Sequence, residues 1–355
     1  MENTNRKLHL RERDLVVLSA ENVAAALIGQ ELAVMDAVSR AYSVHNCGQS
    51  SLPHSTFLRF PDSPANRIIA LPAYLGGGVD SSGVKWIASF PGNVNEGTDR
   101  ASAVLILNST KNGRPRAVLE SSMISAWRTA ASAALAARSL ARGRMAVAGL
   151  VGCGIINFTI LQFLRLACPG LESVLLYDLN RASAQAFKKR CCQEFSEMNV
   201  ELATDCETVL RRSNVISFAT TAGKPYVQSL SMCDPKAVVL HISLRDLMPQ
   251  VVLDSDNIVD DPDHVCRAQT SIHLAEQEVG HRRFIRCTLA DIINNDAPVC
   301  QDAGRPVVFS PFGLGILDIA VGEFVLGIAQ RNGLGCIVPL FLPEPWQRTE
   351  AVPIS

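Results

Sequence analysis

The run from Arg144 to Asn157 restricts what this 355-residue chain can fold into more than any other stretch. An apolar strand, RMAVAGLV, enters the turn Gly152-Cys153-Gly154, and a periodic apolar helix, IINFTILQFLRLAC, leaves it. The next strand, SVLLYD, closes on Asp178. In such a unit the first glycine permits the tight turn and the second lets backbone approach a pyrophosphate, which then sits on the helix N-terminus. A carboxylate about 20 residues further on holds the ribose hydroxyls and repels a 2′-phosphate. The expected cofactor is therefore NAD, with Gly152, Gly154, Ile155 and Ile156 at the phosphates and Asp178 at the ribose. Asn157 stands where a third glycine or alanine is usual, a place that serves helix–strand packing. The bland alternative is a βα turn with no ligand. Strand, turn, helix, strand and terminal Asp falling in order favour the dinucleotide.

Around this unit β and α patterns alternate. SVLLYD, NVELAT, NVISFAT, AVVLHIS and NIVDD read as short strands between helical stretches such as RASAQAFKKRCCQEF, which predicts a parallel, doubly wound sheet of Rossmann type. The N-terminal part has a different texture. ENVAAALIGQELAVMDAVSRAYSVH is helical in period, and STFLRF, RIIALPAYLG, SGVKWIASF, ASAVLILN and PRAVLES are strand-like runs separated by Gly/Pro/Asn/Asp turns, the pattern of an antiparallel sheet of about five strands. SSMISAWRTAASAALAARSLAR reads as a long helix bridging two domains. The expected organisation is α/β. A discontinuous α+β domain for substrate binding and dimerisation spans 1–128 and is completed by 305–355, and the NAD-binding Rossmann domain spans 129–304.

Lys and Arg number 33 against 34 Asp and Glu, so no long-range field gathers nucleic acid or an anionic membrane surface. A small molecule is the expected partner. The eleven cysteines are scattered, without C-x-x-C spacing, and His54, His241, His264 and His273 lack metal-ligand spacing. They read as core-filling or ordinary polar residues, and no metal is expected. No apolar run approaches the roughly 20 residues of a membrane span, and the charged start lacks the apolar run of a signal peptide. A cytoplasmic protein is expected.

The segments SGVKWIASFPGN, SMISAWRTAASAALAARSLA, GLVGCGIIN with YD, HISLRD and SPFGLGILDIA resemble the ornithine cyclodeaminase/mu-crystallin family over nearly the whole chain. Within that family RIIALPAYLGG, Lys85-Trp86 and DRASAVLILN look most like the dehydrogenases that cleave N-(2-amino-2-carboxyethyl)-L-glutamate to 2-oxoglutarate and 2,3-diaminopropionate. The resemblance implies that Lys85 and Arg128 bind a substrate carboxylate, with Lys85 also able to polarise a developing imine, and that Asp246 is the catalytic carboxylate. It also implies a homodimer that pairs first-domain sheets across a two-fold axis. Arg guanidinium suits a carboxylate through its bidentate fork, and Lys supplies a mobile point charge. Arg59 and Arg67 are candidates for further carboxylates of an amino-acid-conjugate substrate. Thr220 and Asp318 complete the cofactor candidates, with helix capping as the alternative for Asp318.

Each candidate has a structural alternative: an edge-strand role for Lys85, a helix-surface role over Trp127 for Arg128, a loop cap for Asp246. Ornithine or lysine cyclodeamination, and ligand sequestration of mu-crystallin type, are the rival functions. Family cyclodeaminases carry Pro-Gly-Lys shortly after the catalytic aspartate, whereas this chain reads Asp246-Leu247-Met248-Pro249.

Overall fold

The computed structural model describes residues 11–301 and 304–344. Residues 1–10, 302–303 and 345–355, which the expected domain limits include, lie outside the described residues.

Among the described residues, seven strands precede the long helix: β1 (Leu15–Leu18), β2 (Ser50–Ser51), β3 (Thr56–Phe60), β4 (Ser63–Leu75), β5 (Ser81–Ser89), β6 (Ala101–Ser109) and β7 (Pro115–Glu120). Next come β8 (Val147–Val151), β9 (Ser173–Tyr177), β10 (Asn199–Leu202), β11 (Val215–Phe218), β12 (Val238–His241), β13 (Asp256–Val259), β14 (Ile285–Thr288) and β15 (Val307–Ser310), with β16 (Cys336–Val338) last. The first sheet has the order β16-β1-β7-β6-β5-β4-β2, with β3 also on β4. The expected antiparallel strands are its β3 to β7. β1 adds in parallel to β7, and β16 returns antiparallel to β1. The stretch PDSPANR, expected as a turn, supplies only Pro61-Asp62 to the hairpin, because Phe60 already pairs with Ser63. A two-residue connection is enough to reverse an antiparallel pair, so the remaining residues extend the strand.

The second sheet runs β10-β9-β8-β11-β12-β15-β13-β14, with every neighbouring pair parallel. Strands β11, β12, β13 and β15 are buried throughout, as expected of a parallel sheet covered on both faces. One limit requires correction. The strand VVFS, assigned above to the segment that completes the first domain, inserts between β12 and β13. Its unbroken apolar run suits the middle of a parallel sheet, so the chain returns to the first sheet only after Ser310.

Ser122–Leu140 is the bridging helix, and its Ala-rich surface is almost wholly buried, packing against helices Glu31–Asn46 and Ile155–Ala167. Helix Gly315–Asn332 lies on the inner face of the first sheet, against β4, β5 and β6. Two glycines allow this approach: a methyl group on Gly315 would lie 3.1 Å from Ala73 Cβ, and one on Gly322 would lie 2.3 Å from Leu105 Cδ2. Gly315, Asp318 and Gly322 are spaced three and four apart and therefore share a helix face. The small residues that seat the helix thus aim Asp318 at the sheet.

Candidate active site

The dinucleotide turn is built as its residue types require. Gly152 has φ +93 and a methyl group there would come within 2.5 Å of Ala219 O, whereas one on Gly154 would meet nothing within 4 Å. No side chain caps helix Ile155–Ala167, whose N-cap is Gly154, so its first amides are available to an anion. Ile155 is exposed, and Ile156 is half-buried against the core. Asp178 closes the turn, accepting from Cys153 N at 2.8 Å and Asn180 N at 2.8 Å. Asn157, in place of the usual small residue, is fully buried. Its side-chain amide donates to Val151 O and Gly152 O, and its Oδ1 accepts from Ser217 Oγ at 2.7 Å. Close packing is preserved because those polar atoms are satisfied within the turn. An open anion-ready helix start, a left-handed glycine and a carboxylate at the neighbouring strand end fit NAD.

Lys85, in the middle of β5, is 1% exposed. Its Nζ lies 2.8 Å from Asp318 Oδ2 and donates to Ser125 Oγ at 3.1 Å. Arg128 Nε donates to Asp318 Oδ1 at 3.2 Å. This is neither an edge-strand lysine nor a helix-surface arginine: the two cations share one buried carboxylate, so the triad carries an uncompensated positive charge. Buried charge is costly unless it is paired, and a substrate carboxylate would supply the missing partner. Burial, followed by the charge of Arg128 and opposed by Asp318, lowers the Lys85 amine to about 8. Asp318 does not cap its helix, which has no side-chain cap bond. Its two oxygens are taken up by Lys85 and Arg128. Thus Asp318, a cofactor candidate from the sequence, sits instead with Lys85 and Arg128. Gly313, following β15, closes over Arg128: a methyl group there would be 2.5 Å from Arg128 Nη1. Buried Asp260 holds that loop, accepting from Phe312 N and Gly313 N at 2.9 and 2.7 Å.

Asp246 is fully buried beyond the end of β12. Thr220 Oγ1 donates to its Oδ1 at 2.5 Å, Ser243 Oγ donates to its Oδ2, and His241 Nε2 lies 3.3 Å from Oδ2. Burial pushes this carboxyl up, but the His241, Ser243 and Thr220 interactions outweigh that and hold it below its ordinary value. Thr220, taken from sequence as a cofactor residue, engages Asp246 directly and accepts from Ala222 N at 3.1 Å. His241, assigned above to the ordinary polar or core residues, is the neighbour that orders the loop. Its Nε2 accepts the Asp246 N–H at 3.1 Å and its Nδ1 meets Ser310 Oγ at 3.2 Å. The signal available in the sequence was HISLRD itself, in which a polar ring ends an apolar strand just before the aspartate. Arg59 and Arg67 are directly opposite each other on β3 and β4. Arg67 in turn faces Ser89 of β5, while Leu71 faces Lys85. In an antiparallel pair opposed residues share a face, so both arginines occupy the Lys85 face, displaced by about 13 Å along the strand.

The ornithine cyclodeaminase/mu-crystallin family model matches residues 13–332. The N-((2S)-2-amino-2-carboxyethyl)-L-glutamate dehydrogenase of Staphylococcus aureus is 28% identical over 335 residues, covering 93% of this chain and 99% of that protein. The L-lysine cyclodeaminase of Streptomyces rapamycinicus is 28% identical over 63% of this chain and 64% of its own. Among solved structures, an archaeal alanine dehydrogenase dimer with bound NAD superposes with a TM-score of 0.81 at 25% identity, covering 92% of this chain and 99% of that one. Together with the dinucleotide turn and the family's segments at Lys85, Arg128 and Asp246, the match from residue 13 to residue 332 establishes that the chain belongs to the ornithine cyclodeaminase/mu-crystallin family.

Proposed function

We propose that this protein oxidises an N-substituted L-glutamate, N-(2-amino-2-carboxyethyl)-L-glutamate, and hydrolyses the resulting imine to 2-oxoglutarate and L-2,3-diaminopropionate. The observation that carries this reading is the net positive, buried Lys85–Asp318–Arg128 triad on the same sheet face as Arg59 and Arg67, an arrangement suited to a substrate with several carboxylates. The enzyme is an NAD-dependent oxidoreductase acting on a CH–NH bond. Gly152, Gly154, Ile155, Ile156 and Asp178 would hold NAD, which would supply the hydride acceptor. Arg128 holds the carboxylate next to the reacting carbon. Lys85, with an amine at about 8, is matched to take the proton from the substrate nitrogen near neutral pH. Asp246, kept anionic, faces the positive charge that develops as the C–N bond becomes an imine, and orients the water that adds to it. The C–N bond of the hydrated imine then breaks, the nitrogen leaving with a proton as the diaminopropionate amine. Diaminopropionate is a building block suited to siderophore or peptide-antibiotic assembly, and the enzyme would act in the cytoplasm.

Purified protein given this substrate and NAD is expected to release NADH, 2-oxoglutarate and diaminopropionate in equal amounts. Ammonia and a cyclic amino acid from ornithine or lysine, with no net NADH, would instead assign a cyclodeaminase. The S. aureus relative is what favours the first outcome.

The outer face of the first sheet supports a homodimer. Trp86 is 45% and Val104 40% exposed, directly opposite each other on β5 and β6, with Leu58 and Tyr74 exposed on the same face. An apolar face of this kind needs cover, and a second copy of the sheet supplies it. Sedimentation should give a dimer. The pair Trp86→Asp and Val104→Asp should give a folded monomer, and an unchanged dimer would place the interface elsewhere.

A further inference from the structure

Four arginines converge beside the catalytic carboxylate. Arg59 and Arg67 are registered across β3 and β4. Arg100 immediately precedes β6, where its backbone oxygen accepts from Phe90 N at 2.8 Å, next to Ser89 and therefore next to the strand position that faces Arg67. Arg245 directly precedes Asp246, and one of its guanidinium nitrogens donates to Ala268 O at 2.7 Å. Burial, and after it the charges of Arg245, Arg100 and Arg59, hold the Arg67 guanidinium below its ordinary value. Burial and then Arg59 lower Arg245, with Asp246 opposing them. Arg67 is thus within electrostatic reach of Arg59, Arg100 and Arg245, and Arg245 is within reach of Arg59 and Asp246. Among the described residues, none of the four forms an ion pair with a carboxylate within 4.0 Å. The Arg67 Nε is buried with no hydrogen-bond partner.

Arg67, Arg100 and Arg245 are partly desolvated, and Arg59 is exposed over the Phe57 ring. Such a group, with no carboxylate partner among the described residues, makes a poor structural element and a strong anion receptor. A site for one simple amino acid needs no such group, because the Lys85–Arg128 pair already accounts for one carboxylate. We infer that Arg59, Arg67, Arg100 and Arg245 form a second anion subsite, which selects substrates carrying carboxylates distal to the reacting carbon and rejects monocarboxylic amino acids. Arg100 and Arg245 are its specificity-determining members from outside the β3–β4 hairpin. Placing Arg245 next to Asp246 ties recognition of the distal carboxylate to the position of the catalytic one. The inference rests on the proposed reaction for the identity of the substrate, but the subsite itself can be tested without turnover.

The probe is a matched pair of ligands titrated by calorimetry into the full-length, NAD-bound protein. 2-Oxoglutarate and 2-oxopentanoate have the same chain length and differ at the distal carboxylate, and neither can be reduced by NAD. The native protein is expected to bind 2-oxoglutarate at least about tenfold more tightly, the effect of one or more charge-assisted hydrogen bonds. Arg67→Gln and Arg245→Gln should each remove most of that preference while changing 2-oxopentanoate affinity by no more than about twofold. Arg100→Gln provides a third, independent variant in case either of the others fails to fold. No preference in the native protein, or a preference that survives in every folded variant, overturns the subsite. Failure of the proposed reaction would appear separately, as absence of NADH from the N-substituted glutamate while the carboxylate preference persists.

Discussion

Asp246→Asn is expected to lower kcat by about a hundred- to a thousandfold, the range for removing one preorganised electrostatic group from a reaction centre, while NAD affinity stays within about twofold. The side chain keeps its size, its amide oxygen can still accept from one of the Thr220 and Ser243 hydroxyls, and its amide nitrogen can donate to the other once that hydroxyl turns, so the main quantity lost is charge. In the native protein that charge persists at all pH values where the enzyme would work, because the carboxyl lies below its ordinary value despite full burial. The measurement is steady-state NADH formation alongside NAD titration by protein fluorescence. Turnover within about threefold of the native enzyme would remove Asp246 from the chemistry, and loss of NAD binding would make its role structural.

The second large effect concerns Lys85. Lys85→Met should reduce kcat/KM by about a thousandfold or more, since both a proton acceptor and a carboxylate contact disappear. The pH profile discriminates better than the loss itself. The native amine at about 8 predicts that kcat/KM for oxidation rises as pH passes through about 8, because only the deprotonated lysine accepts the proton. Asp318 opposes that lowering through its charge and its contact with Nζ. Asp318→Asn should therefore move the rising limb to lower pH, since a lysine left with Arg128 alone sheds its proton more readily. A limb that stays near 8 in Asp318→Asn would mean that another group titrates there. A limb that moves up would contradict the ion pair between Lys85 of β5 and Asp318 of the covering helix.

Local features were legible from residues alone because their physics is local. The turn from Val151 to Asn157 depends on a left-handed glycine, an uncapped helix start and a nearby strand end, all within about 30 residues of chain. The long Ala-rich helix and the antiparallel hairpins were likewise readable from period and turn chemistry. The strand VVFS was placed wrongly for a physical reason: a short apolar run states that it is buried in a sheet but not in which sheet. Asn157 illustrates the same limit at a single position. Its departure from the usual small residue raised doubt about packing, and only the neighbouring strand, which contributes Ser217, shows how the polar atoms are satisfied.

By itself the sequence determined the Rossmann unit and its NAD turn, and through family resemblance it named Lys85, Arg128 and Asp246. Tertiary structure alone decided what those residues are to one another. Arg128 and Asp318 stand 190 positions apart in the chain, and they meet over Lys85 because Gly315 and Gly322 let the last long helix settle onto the first sheet. The approach of Arg100 and Arg245 to Arg67 likewise depends on separate elements coming together. Periodicity and turn signals report which way a side chain points within its own element, whereas proton affinity and charge balance depend on what the other elements bring within a few ångströms.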